Sequence, residues 1–201
     1  MFLFLDVASP IPEFHLINDK KIVDSIKIGD NADQKLSDLL IPTYLDINNT
    51  YKLFKNIKKL IITIGPGSYT SLRVGASFIA GLSQSMNLPV SVISTETMYK
   101  HLYYANKQIG IYFESSNKQK FFSYKKDSYF FHEKIENENY VIPESISLVF
   151  YNFTSPKFID NKIKSEAFSI KKIVLKNLDL LEFSKNKIIK PIYISNNSIL
   201  N

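Results

Sequence analysis

Three groups of residues in this 201-residue chain have the types that chemistry uses. The first is "GPGSYTS", Gly65 to Ser71, where two glycines free the backbone just before a helix start, a setting that favours a phosphate. The match fails in detail. A Walker loop needs Gly-Lys followed by Ser or Thr and no Lys is here; a dinucleotide fingerprint needs a third Gly where Thr70 stands. A nucleophile elbow needs Gly two residues either side of its Ser, which Ser68 lacks. The second group is His15, His101 and His132, far apart and none with another His four residues away, so no zincin helix exists. The third is Glu133, Glu136 and Glu138, which fall in a strongly polar stretch and read as solvated charge. With no cysteine, disulfides, thiolate zinc sites and thiol nucleophiles are removed together, in keeping with a reducing compartment. The expectation is a chain with no catalytic, cofactor-binding or metal-binding residues of its own.

The elements that would position these residues alternate as in α/β architecture. "MFLFLDVAS", "EFHLIND" and "KIVDSIKIG" read as three antiparallel strands, with a bend at Asn18 to Lys21. "ADQKLSDLLIPTYLDI" reads as a helix with Leu36, Leu39, Leu40 and Tyr44 on one side and a kink at Pro42. "KLIITIG" is a buried strand, Ser68 the cap of a helix to about Met86, "LPVSVIS" a further strand, and "TETMYKHLYYA" a helix capped by Thr95. After about residue 106 aromatic and polar residues alternate with period two, turning near Ser116 to Lys118 and near Asp127. "SLVFYNF", "AFSIKKIVL" and "KPIYISNN" read as short strands, and Asp179 to Lys187 as a Lys-rich helix. No repeat of fixed period is visible. Two subdomains are expected, 1–106 and a smaller 107–201.

The net charge of +6 comes from 24 Lys and one Arg spread over the chain, not from a stripe, so it reads as a solvated surface rather than a nucleic-acid footprint. The opening "MFLFLDVASP" has no basic residues and carries Asp6, so it reads as a strand and not a signal peptide. No apolar run reaches membrane-spanning length. Between Lys59 and Glu96 the only charged residue is Arg73, the one Arg of the chain. A guanidinium kept where Lys is otherwise the default suggests a planar, multi-donor task. On this helix Leu72, Gly75, Ile79, Leu82 and Met86 form the stripe expected to face the sheet. The opposite stripe carries Arg73, Ser77, Ala80, Gly81 and Gln84, small or polar where a solvated helix of this chain would show Lys and Glu. Small residues let a second helix approach closely.

"ITIGPGSYTSLRVGASFIAGLSQSMNLPVSVIST" closely resembles the signature of the TsaB (YeaZ) family, G-P-G-S-F/Y-T-G-L/V-R-I/V-G followed by A-x-G-L-A and a strand ending V-S-T. "FLFLDVAS" resembles that family's opening strand and loop, "LSDLLIP" its His-Ser-Glu helix, "ESSNKQKFFSY" its Asp-Ala-Arg turn and "KPIYISNN" its closing motif. The resemblance implies an actin-like ATPase fold of two subdomains with mixed sheets flanked by helices, a cytoplasmic location, and a part in making threonylcarbamoyladenosine in tRNA. It implies a catalytic partner of TsaD type and an ATPase of TsaE type, homodimer formation when the chain is alone, tRNA contact at most indirect, and no cofactor. The glycoprotease-like name given to such sequences has no support in the residues.

The sequence departs from the family at Leu36, Ser116 and Ser195, where His, Arg and Arg are usual. Catalytic ATPases of the fold offer Asp-Gly-Thr after the first strand. Here the loop is Asp6-Val7-Ala8-Ser9-Pro10, whose Val and Pro remove freedom and a donor. The reading is therefore a non-catalytic partner subunit whose interface is formed by Leu36, Leu40, Tyr44, Arg73, Ser77, Ala80, Gly81 and Gln84. The alternative is a stand-alone ATPase or small-molecule kinase of the same fold.

Overall fold

Asp19 and Lys20, with φ of 48° and 59°, supply the left-handed pair that a two-residue hairpin requires. They join β2 (Glu13–Asn18) to β3 (Lys21–Lys27), and β2 also pairs antiparallel with β1 (Phe2–Asp6), the antiparallel opening that the alternation predicts. The computed structural model describes residues 1–29, 34–102, 108–137, 139–159, 163–185 and 188–194.

The chain then adds β4 (Lys59–Thr63) and β5 (Val90–Ile93) parallel to β1, giving the order β3-β2-β1-β4-β5. Their nearly continuous apolar runs suit strands covered on both faces. Before β4 come α1 (Leu36–Tyr51), which runs on through Pro42, and a one-turn α2 (Leu53–Asn56) set off by Lys52 at φ 53°. Between β4 and β5 lies α3 (Tyr69–Met86), capped by Ser68, whose hydroxyl accepts from the Ser71 N–H at 3.5 Å, and closed by left-handed Asn87. Both ends of α3 are where the sequence puts them. The helix α4 (Thr95–Leu102) begins as expected but with a different cap: Ser94 Oγ accepts from the Thr97 N–H at 3.2 Å. The Thr95 hydroxyl, fully buried, donates instead to the Gly65 carbonyl at 3.0 Å and ties this corner to the Gly-Pro-Gly loop.

A second sheet follows. β6 (Ile109–Glu114), β7 (Lys120–Lys126) and β8 (Tyr129–Ile135) are antiparallel, turning at left-handed Lys118 and Asp127. β9 (Leu148–Tyr151) and β10 (Lys164–Ala167) extend it in parallel, in the order β10-β9-β6-β7-β8. Counted from its own first strand, each sheet reads 3-2-1-4-5, so the second half repeats the topology of the first. Topology follows from which faces are apolar and from connection length, and neither requires residue identity. The two sheets share one core, in which Leu3, Leu5, Leu60 and Ile62 of the first join Ile111, Phe113, Leu148 and Phe150 of the second. On the other face of β6, Tyr112 belongs to a separate cluster with Phe122 and Val149. There Gly110 makes room: a Cβ would lie 2.2 Å from Phe122 Cζ.

Past β10 the structure departs from the sequence reading. "SIKKIVLK" is not a strand but a helix, α5 (Ile170–Lys176), with Ile170, Ile173 and Val174 buried at helical spacing. The helix expected over 179–187 is a single 3-10 turn, Leu178–Leu180, after which Ser184 forms an isolated antiparallel bridge with Val90 at the edge of β5. The stretch Lys190–Ile194 is not a strand. It lies on the first sheet through one backbone bond, Ile192 N–H to the Ile64 carbonyl at 2.7 Å. Ser195 and the 106/107 division fall outside the described residues. We propose to keep that division as one between sheets, with Ser184 and 188–194 grouped spatially with the first.

Candidate functional site

β1 delivers Asp6 into a loop that uses up its carboxylate. Oδ1 accepts from the N–H groups of Ala8 and Ser9 at 3.1 and 3.2 Å and from the Thr63 hydroxyl at 3.0 Å, while Oδ2 accepts from the Ser9 hydroxyl at 2.7 Å. Thr63 Oγ1 in turn accepts from the Val7 and Ala8 N–H groups at 2.9 and 3.2 Å. Burial pushes the Asp6 carboxyl up against the pull of these hydrogen bonds. Val7 lies on α3, where a Cβ on Gly75 would come within 2.9 Å of both its methyl groups. The loop is thus closed on itself and packed down. A metal ion with its phosphates needs an outward, free carboxylate, and Asp6 does not fit that role.

Beside the loop, a cleft of about 520 Å³ opens between the sheets. Pro10 to Pro12, the start of α1, the first turn of α3 and the β6–β7 turn line it. Across it Ser71 Oγ and Ser116 Oγ lie 3.1 Å apart, so where the resembled family carries Arg this chain has a hydroxyl-to-hydroxyl contact. Among the described residues the charged ones lining it are Lys35, Lys118 and Glu114, and Glu114 already accepts from the Thr154 hydroxyl at 2.7 Å.

On the outer side of α3, Arg73, Ser77, Ala80, Gly81 and Gln84 are all exposed, and nothing lies within 4 Å of a Cβ built on Gly81. Leu72, Gly75, Ile79 and Leu82 are buried, as the stripe predicts. The neighbouring helix differs from the reading. Leu36, Leu40 and Tyr44 are buried in the chain's own core, Tyr44 packing edge-on against Phe78 at 5.2 Å, because their spacing is that of the inward face. They cannot meet a partner directly. The large apolar residues that α1 and α2 turn outward are Ile41, Leu45 and Phe54, at 55%, 47% and 56% exposure, alongside exposed polar residues that include Asp38 and Asp46. Their signal in the sequence was the apolar pair Ile41 and Leu45, four apart on the other side of α1.

His15 and His132 are structural. His15 Nδ1 lies 2.8 Å from Ser25 Oγ and its Nε2 3.5 Å from Glu13; His132 Nδ1 lies 2.8 Å from Ser123 Oγ. Ser25, His15 and Glu13 imitate a hydrolase triad in order of contact. His15 is buried, however, and the hollow of about 180 Å³ beside it is lined by Glu13 and His15 but not by Ser25, so it does not bring a substrate to the hydroxyl. Burial lowers both rings to about 4, for His15 with help from the positive charge of Lys171. A depressed folded value gives stability that is whole above the ordinary value of 6.5 and lost as pH falls toward 4. Asp6, raised, acts in the opposite sense. Urea unfolding should therefore show a net loss approaching about 2 kcal/mol per ring near pH 5. In a His15→Asn, His132→Asn double variant the slope between pH 7 and 5 should flatten.

Among the described residues no three His, Asp or Glu are grouped to hold a metal ion, and no helix is long and apolar enough to cross a membrane. Residues 31–148, more than half the chain, match the family described as TsaD, tRNA N6-adenosine threonylcarbamoyltransferase. The chain belongs to the TsaD family. No curated protein matches it by sequence. Two solved structures share its fold. One is a Pseudomonas aeruginosa protein described as uncharacterized with similarity to peptidase YEAZ, at TM-score 0.64 and 13% identity. The other is YeaZ from Pseudomonas aeruginosa, at TM-score 0.61 and 12% identity. Each comparison covers 96% of this chain and 99% of the other. The TsaB (YeaZ) resemblance read from the Gly-Pro-Gly helix thus meets a YeaZ fold over the whole length, and the TsaD-family chain has the actin-like, two-sheet architecture expected of it.

Proposed function

We propose that this TsaD-family chain is a TsaB-type supporting subunit of the machinery that makes threonylcarbamoyladenosine in tRNA. It docks on a catalytic paralogue of TsaD type and leaves the chemistry to that partner. The observation that carries the reading is the exposed, charge-free outer face of α3, Ser77, Ala80, Gly81 and Gln84 with Arg73 at its head, beside the exposed apolar Ile41 and Leu45 of α1. Burying the stretch from Ser77 to Gln84 removes surface from water without stranding charge, and leaves Arg73 as the one charge to be answered. When the chain is alone the same face pairs two copies. The set works in the cytoplasm with a TsaE-type ATPase, and tRNA is held by the partner.

The alternative, an ATPase or kinase acting alone, has the cleft of about 520 Å³ in its favour. It needs Asp6 free to organise metal and phosphates, and both oxygens of Asp6 are engaged inside the chain. Reconstitution decides between them. Threonylcarbamoyladenosine formation by the purified TsaD-type and TsaE-type partners should depend on adding this chain, and depleting it in cells should lower the nucleoside in total tRNA. The chain alone should release no phosphate from ATP. Turnover on the order of 1 s⁻¹ by the isolated chain would favour the alternative.

A further inference from the structure

Arg73 is held in place by its neighbours yet left without an acid. Its Nη1 donates to the Tyr69 hydroxyl at 2.9 Å, and its guanidinium carbon lies 5.2 Å from the centre of the Tyr69 ring. The Tyr69 ring in turn lies 4.6 Å from that of Tyr193, which the Ile192 to Ile64 backbone bond fixes on the first sheet. Among the described residues no carboxylate comes within 4 Å of Arg73. A guanidinium has five donors in a planar fork, and one of these is spent on Tyr69.

We infer that Arg73 receives a side-chain carboxylate of the protein that docks on α3, with Tyr69 and Tyr193 as the braces that set the fork. This rests on the docking reading above. If the face from Ser77 to Gln84 is covered by a partner, Arg73 at its head loses water, and a desolvated guanidinium without an anion costs several kcal/mol. A face suited to close helix contact therefore requires an acid opposite Arg73. Tyr and Arg are also the residues on which binding energy concentrates. A nucleic-acid phosphate fits less well. Backbone recognition draws on several cations, whereas α3 supplies one, and α1, which packs on α3, exposes Ile41 and Leu45, which a phosphate chain has no use for.

The test is titration calorimetry of the full chain with the TsaD-type paralogue from the same cells, at low and high salt. Arg73→Ala should weaken binding about 30-fold or more, and Arg73→Lys about tenfold, because an ammonium cannot pair two-pronged. Tyr69→Phe, which frees the fork, should cost a few-fold. Added salt should weaken the wild-type complex more than the Arg73→Ala complex, a difference that a merely structural role would not produce. Ala80→Lys serves as the control for the face. If Ala80→Lys breaks the complex while Arg73→Ala binds within twofold of wild type, the carboxylate inference is wrong and the docking reading stands. If neither matters, or the wild-type chain does not bind, the docking reading falls and takes the inference with it. If Arg73→Ala keeps the partner but loses retention of tRNA on a filter, the anion is an RNA phosphate and the inference is overturned.

Discussion

Ala80→Lys should leave the chain folded and abolish the complex we propose it forms with the TsaD-type partner. Ala80 is exposed in the middle of α3, so a Lys side chain can extend into water at a cost well under 1 kcal/mol. In a closed helix contact the same ammonium is stripped of water and has no acid on its own helix to answer it, and the cost rises to several kcal/mol. That difference corresponds to a loss in affinity of at least about a hundredfold. Gel filtration of the mixed proteins reads the complex, and circular dichroism with urea unfolding reads the fold. An unchanged elution of the complex would return α3 to an ordinary solvated surface.

The second large effect separates what Asp6 does for the fold from what it would do in catalysis. Asp6→Ala removes the acceptor for two backbone N–H groups and two hydroxyls and leaves buried donors unpaired. The expected loss is about 3 to 5 kcal/mol, a large share of a domain's total stability. Asp6→Asn keeps an oxygen for the three Oδ1 bonds, and the Ser9 hydroxyl can turn to accept from the new amide, so about 1 kcal/mol or less is expected. In reconstituted synthesis Asp6→Asn should stay within a few-fold of wild type. An ATPase that used this carboxylate to organise metal and phosphates would lose orders of magnitude. Modification abolished by Asp6→Asn, in a complex that still assembles, would show that the chain contributes chemistry.

The first sheet was legible in the sequence because each of its elements has a signal of its own. β4 and β5 are short apolar runs, the hairpin at Asp19 and Lys20 lies in a polar turn, and Ser68 stands at the head of a long helical period. The cap of α4 was misplaced by one residue because Ser94 and Thr95 are both good caps, and only the position of the Gly65 carbonyl decides which hydroxyl is free to serve. α5 was missed because a run such as "IKKIVL" fits a strand as well as a helix until a neighbouring core selects the period. On α3 the exposed outer stripe was readable from missing charge. α1 was not: Leu36, Leu40 and Tyr44 alternate with Ile41 and Leu45 around the helix, and an apolar helix does not say which side is inward. The Asp6 loop was read from its Val and Pro alone. That its carboxylate is consumed by Thr63, far away in sequence, needed coordinates.

The bridge between Ser184 and Val90 has a consequence for the order in which the protein is made. β5 is the outer strand of the first sheet, and its Val90 N–H and carbonyl pair with Ser184 at 2.9 and 3.1 Å. A ribosome delivers β1 to β5 early and Ser184 only after the whole second sheet. Between the synthesis of Ile93 and that of Ser184, a little under half of the chain, the nascent chain therefore carries an open strand edge, the feature by which unfinished sheets join one another. A chain cut behind Phe183 would keep the strands of both sheets, lose the packing of Ile189, Ile192 and Ile194 on the core as well as the cover of Val90, and should self-associate more readily than the full chain.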